Sequence, residues 1–84
     1  MPVSALNHIR HGDVCVVTKV CAPPSVRKRL LDLGFVMGAK VSLHIISVMG
    51  DPKAYNVAGA VIALRNADAR VVSVKIAETE GGAL

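Results

Sequence analysis

The sequence predicts a mostly β fold, a small closed antiparallel barrel of about five strands with a short N-terminal helix and one helix inserted after the first strand. Three observations point there. Among 84 residues, 14 are Val and 5 are Ile while Phe35 and Tyr55 are the only aromatics, a β-branched composition that favours strands. Short apolar runs are joined by turn-forming Gly, Pro, Asn and Asp. Only the segment after the first run carries a helical apolar period. Closure would hide the edges that so many valines would otherwise expose. A hydrophobic share of 52% suffices for one core without a disulfide or metal, and it excludes intrinsic disorder.

Ser4-Ala5-Leu6-Asn7-His8-Ile9 offers an N-cap serine and apolar residues at 5, 6 and 9, enough for one helical turn before Gly12. Asp13 to Val20 alternates as a strand, with Val14, Val16, Thr18 and Val20 on one face and Cys15, Val17 and Lys19 on the other. Ala22-Pro23-Pro24-Ser25 breaks it, and Ser25 is placed to cap a helix of about nine residues. Its apolar positions Val26, Leu30 and Leu33 follow the i, i+4, i+7 rule, and Gly34 is its left-handed stop. So short a helix must pack on the sheet to be stable. A turn at Phe35-Val36-Met37-Gly38 leads into a strand from Lys40 to Val48, and Met49-Gly50-Asp51-Pro52 turns again. Ala54 to Val57 and Val61 to Arg65 form two short strands around Ala58-Gly59-Ala60. A bend at Asn66–Ala69 precedes the last strand, Val71 to Ile76, and Ala77 to Leu84 reads as a flexible tail. The expected domain is therefore 1–76. Its expected core is Val14, Val16, Leu30, Leu33, Val41, Leu43, Ile45, Ile62, Leu64 and Val74.

No apolar stretch reaches the roughly 18 to 20 residues that cross a bilayer, and the first residues lack the pattern of a signal peptide, so a cytoplasmic protein is expected. Cys15 and Cys21 on one strand would lie about 20 Å apart, too far to pair, and free thiols fit a reducing compartment. Asp13, Asp32, Asp51 and Asp68 stand at turns or on the polar side of the helix, and neither cysteine has a histidine nearby in sequence. No motif carries a catalytic mechanism, so no enzyme and no cofactor are expected. His8 and His11, followed by Asp13, are weak metal candidates, since structural zinc wants about four ligands. His44 reads as an outward or hydrogen-bonded strand histidine.

The net charge of +4 leaves nucleic acid as one class of partner, but a single-strand binder stacks bases on aromatics, and Phe35 and Tyr55 form no platform. A protein partner fits better. Arg27, Lys28 and Arg29 lie in the first half of the helix, where its dipole does not favour cations, so helix stability does not explain them. Beside them stand Leu31, Phe35, Val36 and Met37, more apolar side chains than a short helix and its turn can hide. An apolar patch rimmed with arginine marks an interface, so Arg27, Lys28, Arg29, Phe35 and Met37 are the expected partner-binding residues.

Leu6, Gly12-Asp13, Arg29-Leu30, Leu33-Gly34-Phe35, Gly38, Gly50-Asp51-Pro52, Gly59, Ile62-Ala63-Leu64-Arg65, Ala69 and Val74 occur in an order that resembles the FeoA family of ferrous iron transport proteins. The likeness runs from about Leu6 to Ile76, and departs from the family at Met37, where a proline is usual before the glycine. It implies an SH3-like barrel, similar also to the C-terminal domain of diphtheria-toxin-repressor-type regulators. Leu30, Leu33, Gly34, Gly38, Gly50, Asp51, Pro52 and Gly59 are then structural positions of the motif. The implied role is accessory to bacterial ferrous iron uptake, by docking on the cytoplasmic part of FeoB, a GTPase-permease of the inner membrane. The alternative is an iron-linked regulatory barrel that contacts nucleic acid or a repressor. No ligand set of the family maps onto His8, His11, Cys15 or Cys21.

Overall fold

A computed structural model describes residues 3–79, and in it the valine-rich runs form a single sheet of six antiparallel strands. They are β1 (Val3–Ala5), β2 (Asp13–Val20), β3 (Lys40–Ile46), β4 (Lys53–Val57), β5 (Ala60–Leu64) and β6 (Val72–Thr79). Helix α1 (Pro24–Leu33) follows β2, a four-residue helix α2 (Asn66–Ala69) follows β5, and a 3₁₀ turn (Leu6–His8) follows β1. The strand order is β1-β6-β2-β3-β4-β5. Register shifts in β2 against β6, between Val14 and Cys15 and between Val17 and Lys19, and in β3 between Leu43 and Ile45, bend the sheet.

The expected closure is not found. No ladder among the described residues joins β1 to β5, so the sheet keeps two edges instead of closing into a five-stranded barrel. The sixth strand comes from Val3–Ala5, which pairs with Ser73–Lys75 rather than starting a helix. Ser4 accordingly caps nothing, and its hydroxyl donates to the Ala5 carbonyl at 3.3 Å. β6 runs to Thr79, three residues into the expected tail, where it pairs with Asp13, and 80–84 lie outside the described residues.

Helix α1 begins two residues earlier than expected. Pro24 is its first residue and Pro23 its N-cap, so Ser25 lies inside the first turn and caps nothing. Proline suits that position because its missing N–H would be unpaired there anyway. The end is as expected: Gly34 takes φ 114°, and the N–H groups of Gly34 and Phe35 donate to the carbonyls of Leu31 and Leu30. This pair of bonds turns the chain back under the helix, which buries Phe35 completely. The Gly50-Asp51 turn is tied to α2: an Asp51 carboxylate oxygen accepts the Asn66 N–H at 2.9 Å, and the Asn66 side-chain amide donates to the Gly50 carbonyl at 3.1 Å. Asp51 therefore satisfies an N–H that α2 itself leaves open.

The core joins inward residues of β2 to β6 with Leu6 of the 3₁₀ turn, Leu30 of α1, Phe35 after it and Ala69 of α2, and its largest fully buried side chains include Tyr55, Phe35, Leu6 and Leu30. Leu30, Val41, Leu43, Leu64 and Val74 are buried as expected. Val14, Val16 and Ile62 are only half-buried, and Cys15 and Val17 take the inner face of β2 in place of Val14 and Val16. The reason is pairing: Cys15 stands opposite Val41 and Ile76, and Val17 opposite Val74, on the face that the core uses. Ile45 is 56% exposed because the shift after Leu43 turns it outward, and Leu33 is 37% exposed at the helix end.

Candidate docking face

Of the five residues expected to meet a partner, the structure brings Arg27, Phe35 and Met37 to one groove and directs Lys28 and Arg29 elsewhere. The groove, about 310 Å³ in volume, runs between the end of β2 and α1. Lys19 and Arg27 supply its cations, and Val20, Ala22, Leu31, Phe35 and Met37 its apolar walls, with Cys21 beside them. Met37 is 79% exposed, and Val36 next to it is 45% exposed. Phe35 is fully buried, so its ring supports the groove from the core side and does not stand on the surface as expected. Met37 also borders a second, mainly apolar hollow of about 430 Å³ with Val16, Gly38, Lys75 and Ala77.

The three consecutive cations of α1 have different tasks. Lys28 reaches Asp32 one turn on, at 3.3 Å, an exposed pair that contributes about 0.5 kcal/mol at most. Arg29 reaches Asp68 of α2 at 3.1 Å and so ties the two helices together. Arg27 has no ion-pair partner among the described residues and lines the groove. Leu31, expected beside the cations, lines the groove, whereas Lys19 and Cys21 are groove residues that the one-dimensional pattern did not single out; β2 and α1 bring Lys19 and Leu31 together although twelve positions separate them.

The remaining chemistry-bearing residues are dispersed. His8 and His11 are both exposed, and no group of three or more His, Cys, Asp or Glu among the described residues is placed to hold a metal ion. His44 faces outward, where the Asn56 amide lies 3.4 Å from its Nδ1. Cys15 and Cys21 are both free thiols, Cys15 buried and Cys21 exposed.

Burial, reinforced by the Asp13 charge, pushes the Cys15 thiol up to about 11. Burial, reinforced by Asp51, pushes the Tyr55 hydroxyl up to about 12, and that hydroxyl has no hydrogen-bond partner among the described residues. Both groups are neutral in the folded protein at a pH where the unfolded chain already ionises. Stability is then whole below about pH 9 and falls as pH rises toward 12. Denaturant unfolding from pH 7 to 11.5 should show this fall, and Tyr55→Phe should flatten the part above about pH 10 without loss of stability at pH 7. An unchanged slope in Tyr55→Phe would show that Tyr55 is not the group responsible.

A bent antiparallel sheet, one packed helix and a shallow apolar groove with a cationic rim define a small SH3-like domain. Among the described residues no helix is long and apolar enough to cross a membrane. Residues 5–76 match the FeoA domain, and the chain belongs to the FeoA family. It is 37% identical to a FeoA protein of Chlorobium tepidum solved by NMR, with a TM-score of 0.81, covering 94% of this chain and 75% of that one. It is 31% identical, with a TM-score of 0.75 over 90% of this chain and 94% of the other, to a FeoA of Stenotrophomonas maltophilia crystallised with zinc and described as a procaryotic SH3 domain protein. Over 71 residues it is 30% identical to a fusion of Fe(2+) transport protein A with the Fe(2+) transporter FeoB in Porphyromonas gingivalis; the match takes in 84% of this chain and 8% of the length of that relative. A manganese-dependent transcriptional repressor, 17% identical with a TM-score of 0.79 over 89% of this chain and 41% of its own, shares the fold.

Proposed function

We propose that this chain is a non-enzymatic accessory of bacterial ferrous iron uptake that acts in the cytoplasm by docking the Arg27–Met37 face on the cytoplasmic part of a FeoB-type GTPase-permease. The observation that carries the reading is the fusion relative, in which an FeoA segment and FeoB share one polypeptide. Fusion holds two domains at high effective concentration, the situation that a modest docking surface would otherwise have to supply by affinity. The face has the composition of such a surface, with exposed Val36 and Met37 beside an arginine that has no partner within the described residues.

The test is titration of the protein into the cytoplasmic part of FeoB in each nucleotide state, paired with ferrous iron uptake in cells that lack the wild-type protein. Arg27→Glu should weaken binding about tenfold, mostly by slower association, and should make binding less sensitive to salt. Lys28→Glu should do less, because Asp32 already neutralises Lys28. Wild-type binding and uptake by a folded Arg27→Glu protein would place the docking surface elsewhere.

A further inference from the structure

We propose that the groove between β2 and α1 receives an acidic segment of the docking partner, with one large apolar side chain filling it and carboxylates meeting Arg27 and Lys19. This rests on the docking reading and adds the chemistry of what is recognised. Three features of the groove select that occupant. Its charges are of one sign, since Lys19 and Arg27 line it with no carboxylate among its lining residues. Neither cation is neutralised by an ion pair within the described residues, so an incoming carboxylate displaces no internal partner. Between them the walls are Val20, Ala22, Leu31, Phe35 and Met37, which offer apolar contact and little to hydrogen-bond. A basic or purely polar segment would lose its hydration there without repayment.

The sheet explains why the groove is open at this place. β6 pairs with β2 along its whole length, from Asp13 to Val20, whereas β3 covers β2 only at Cys15 and Val16. Val17 is then held by the Ala39 carbonyl and the Gly38 N–H, and beyond it the flank of β2 carries no strand on that side. Helix α1 stands over this gap, and its Arg27 and Leu31 form the opposite wall.

Cys21 is an exposed thiol lining the groove, so it reports occupancy, while buried Cys15 in the same protein serves as an unreactive control. With the cytoplasmic part of FeoB at saturation, alkylation of Cys21 by iodoacetamide, followed by mass spectrometry, should slow about tenfold or more. Lys19→Glu and Met37→Asp should each weaken FeoB binding about tenfold, whereas Arg10→Glu, before the start of β2 and away from the groove, should change it less than about twofold. Lys19 and Met37 are both exposed, so these variants should melt like wild type, which thermal unfolding checks. Tight FeoB binding with Cys21 as reactive as in the free protein overturns the groove assignment and leaves docking standing. Binding that Lys19→Glu leaves within twofold overturns the acidic chemistry. Absence of FeoB binding in every nucleotide state overturns the docking reading, and this inference with it.

Discussion

Phe35→Ala should lower the unfolding free energy by about 3 to 5 kcal/mol, a large share of what a domain of this size has. The ring is fully buried, and the Phe35 backbone N–H, donating to the Leu30 carbonyl, holds the chain where the side chain enters the core. Truncation removes the transfer energy of the ring and leaves a cavity that helix and sheet, both tied by hydrogen bonds, cannot fully close. Equilibrium denaturation of Phe35→Ala against wild type measures the loss, and a value under about 1 kcal/mol would mean that the ring is not the keystone of this core. Any loss of FeoB binding in this variant has to be read together with its stability, because the same ring supports the groove.

Leu30→Ala and Leu33→Ala should part company. Leu30 is 0% exposed within the core, and its truncation should cost about 2 to 5 kcal/mol. Leu33 is 37% exposed in the last turn of α1, and its truncation should cost about 1 kcal/mol or less. Both residues occupy the apolar stripe of the helix by spacing, so the comparison isolates the effect of position along the axis from that of helical phase. Urea midpoints of the two variants give the difference directly, and equal losses would show that the end of α1 is packed as tightly as its middle.

Much of the chain order is legible in the amino-acid sequence. Proline, glycine and aspartate mark the breaks at Pro23-Pro24, Gly34, Gly38 and Gly50-Asp51, and the structure breaks at each of them. The hairpin of β4 and β5 turns at Ala58-Gly59, with φ of 50° and 82°, as the alternating runs on either side require. Local signals of this kind are carried by the residues themselves. Val3–Ala5 was not legible as a strand, because three residues carry no measurable alternation and their partners lie in β6, some seventy positions away.

The candidate face was half legible. A run of arginine and lysine beside apolar residues pointed to the right helix and turn, but nothing in the run Arg27-Lys28-Arg29 said which cation would be free. That depended on Asp32 lying one turn along the helix and on Asp68 arriving from α2. Lys19 and Cys21 entered the groove only because β2 runs beside α1.

By itself, then, the amino-acid sequence determined the β class, the place of the long helix, most of the turn positions and the FeoA-family pattern, since each is written in residue type and short-range spacing. Tertiary structure alone decided which face of a valine-rich strand is inward. In Val14-Cys15-Val16-Val17 both faces are apolar, and the choice fell to Cys15 and Val17 through their partners in β3 and β6. It decided too that Ile45 faces solvent, since a register shift between Leu43 and Ile45 breaks the alternation there, and that Phe35 belongs to the core. The physical reason is common to all three: a side chain is buried by what the rest of the chain places against it, and that is a property of long-range pairing that no local spacing encodes.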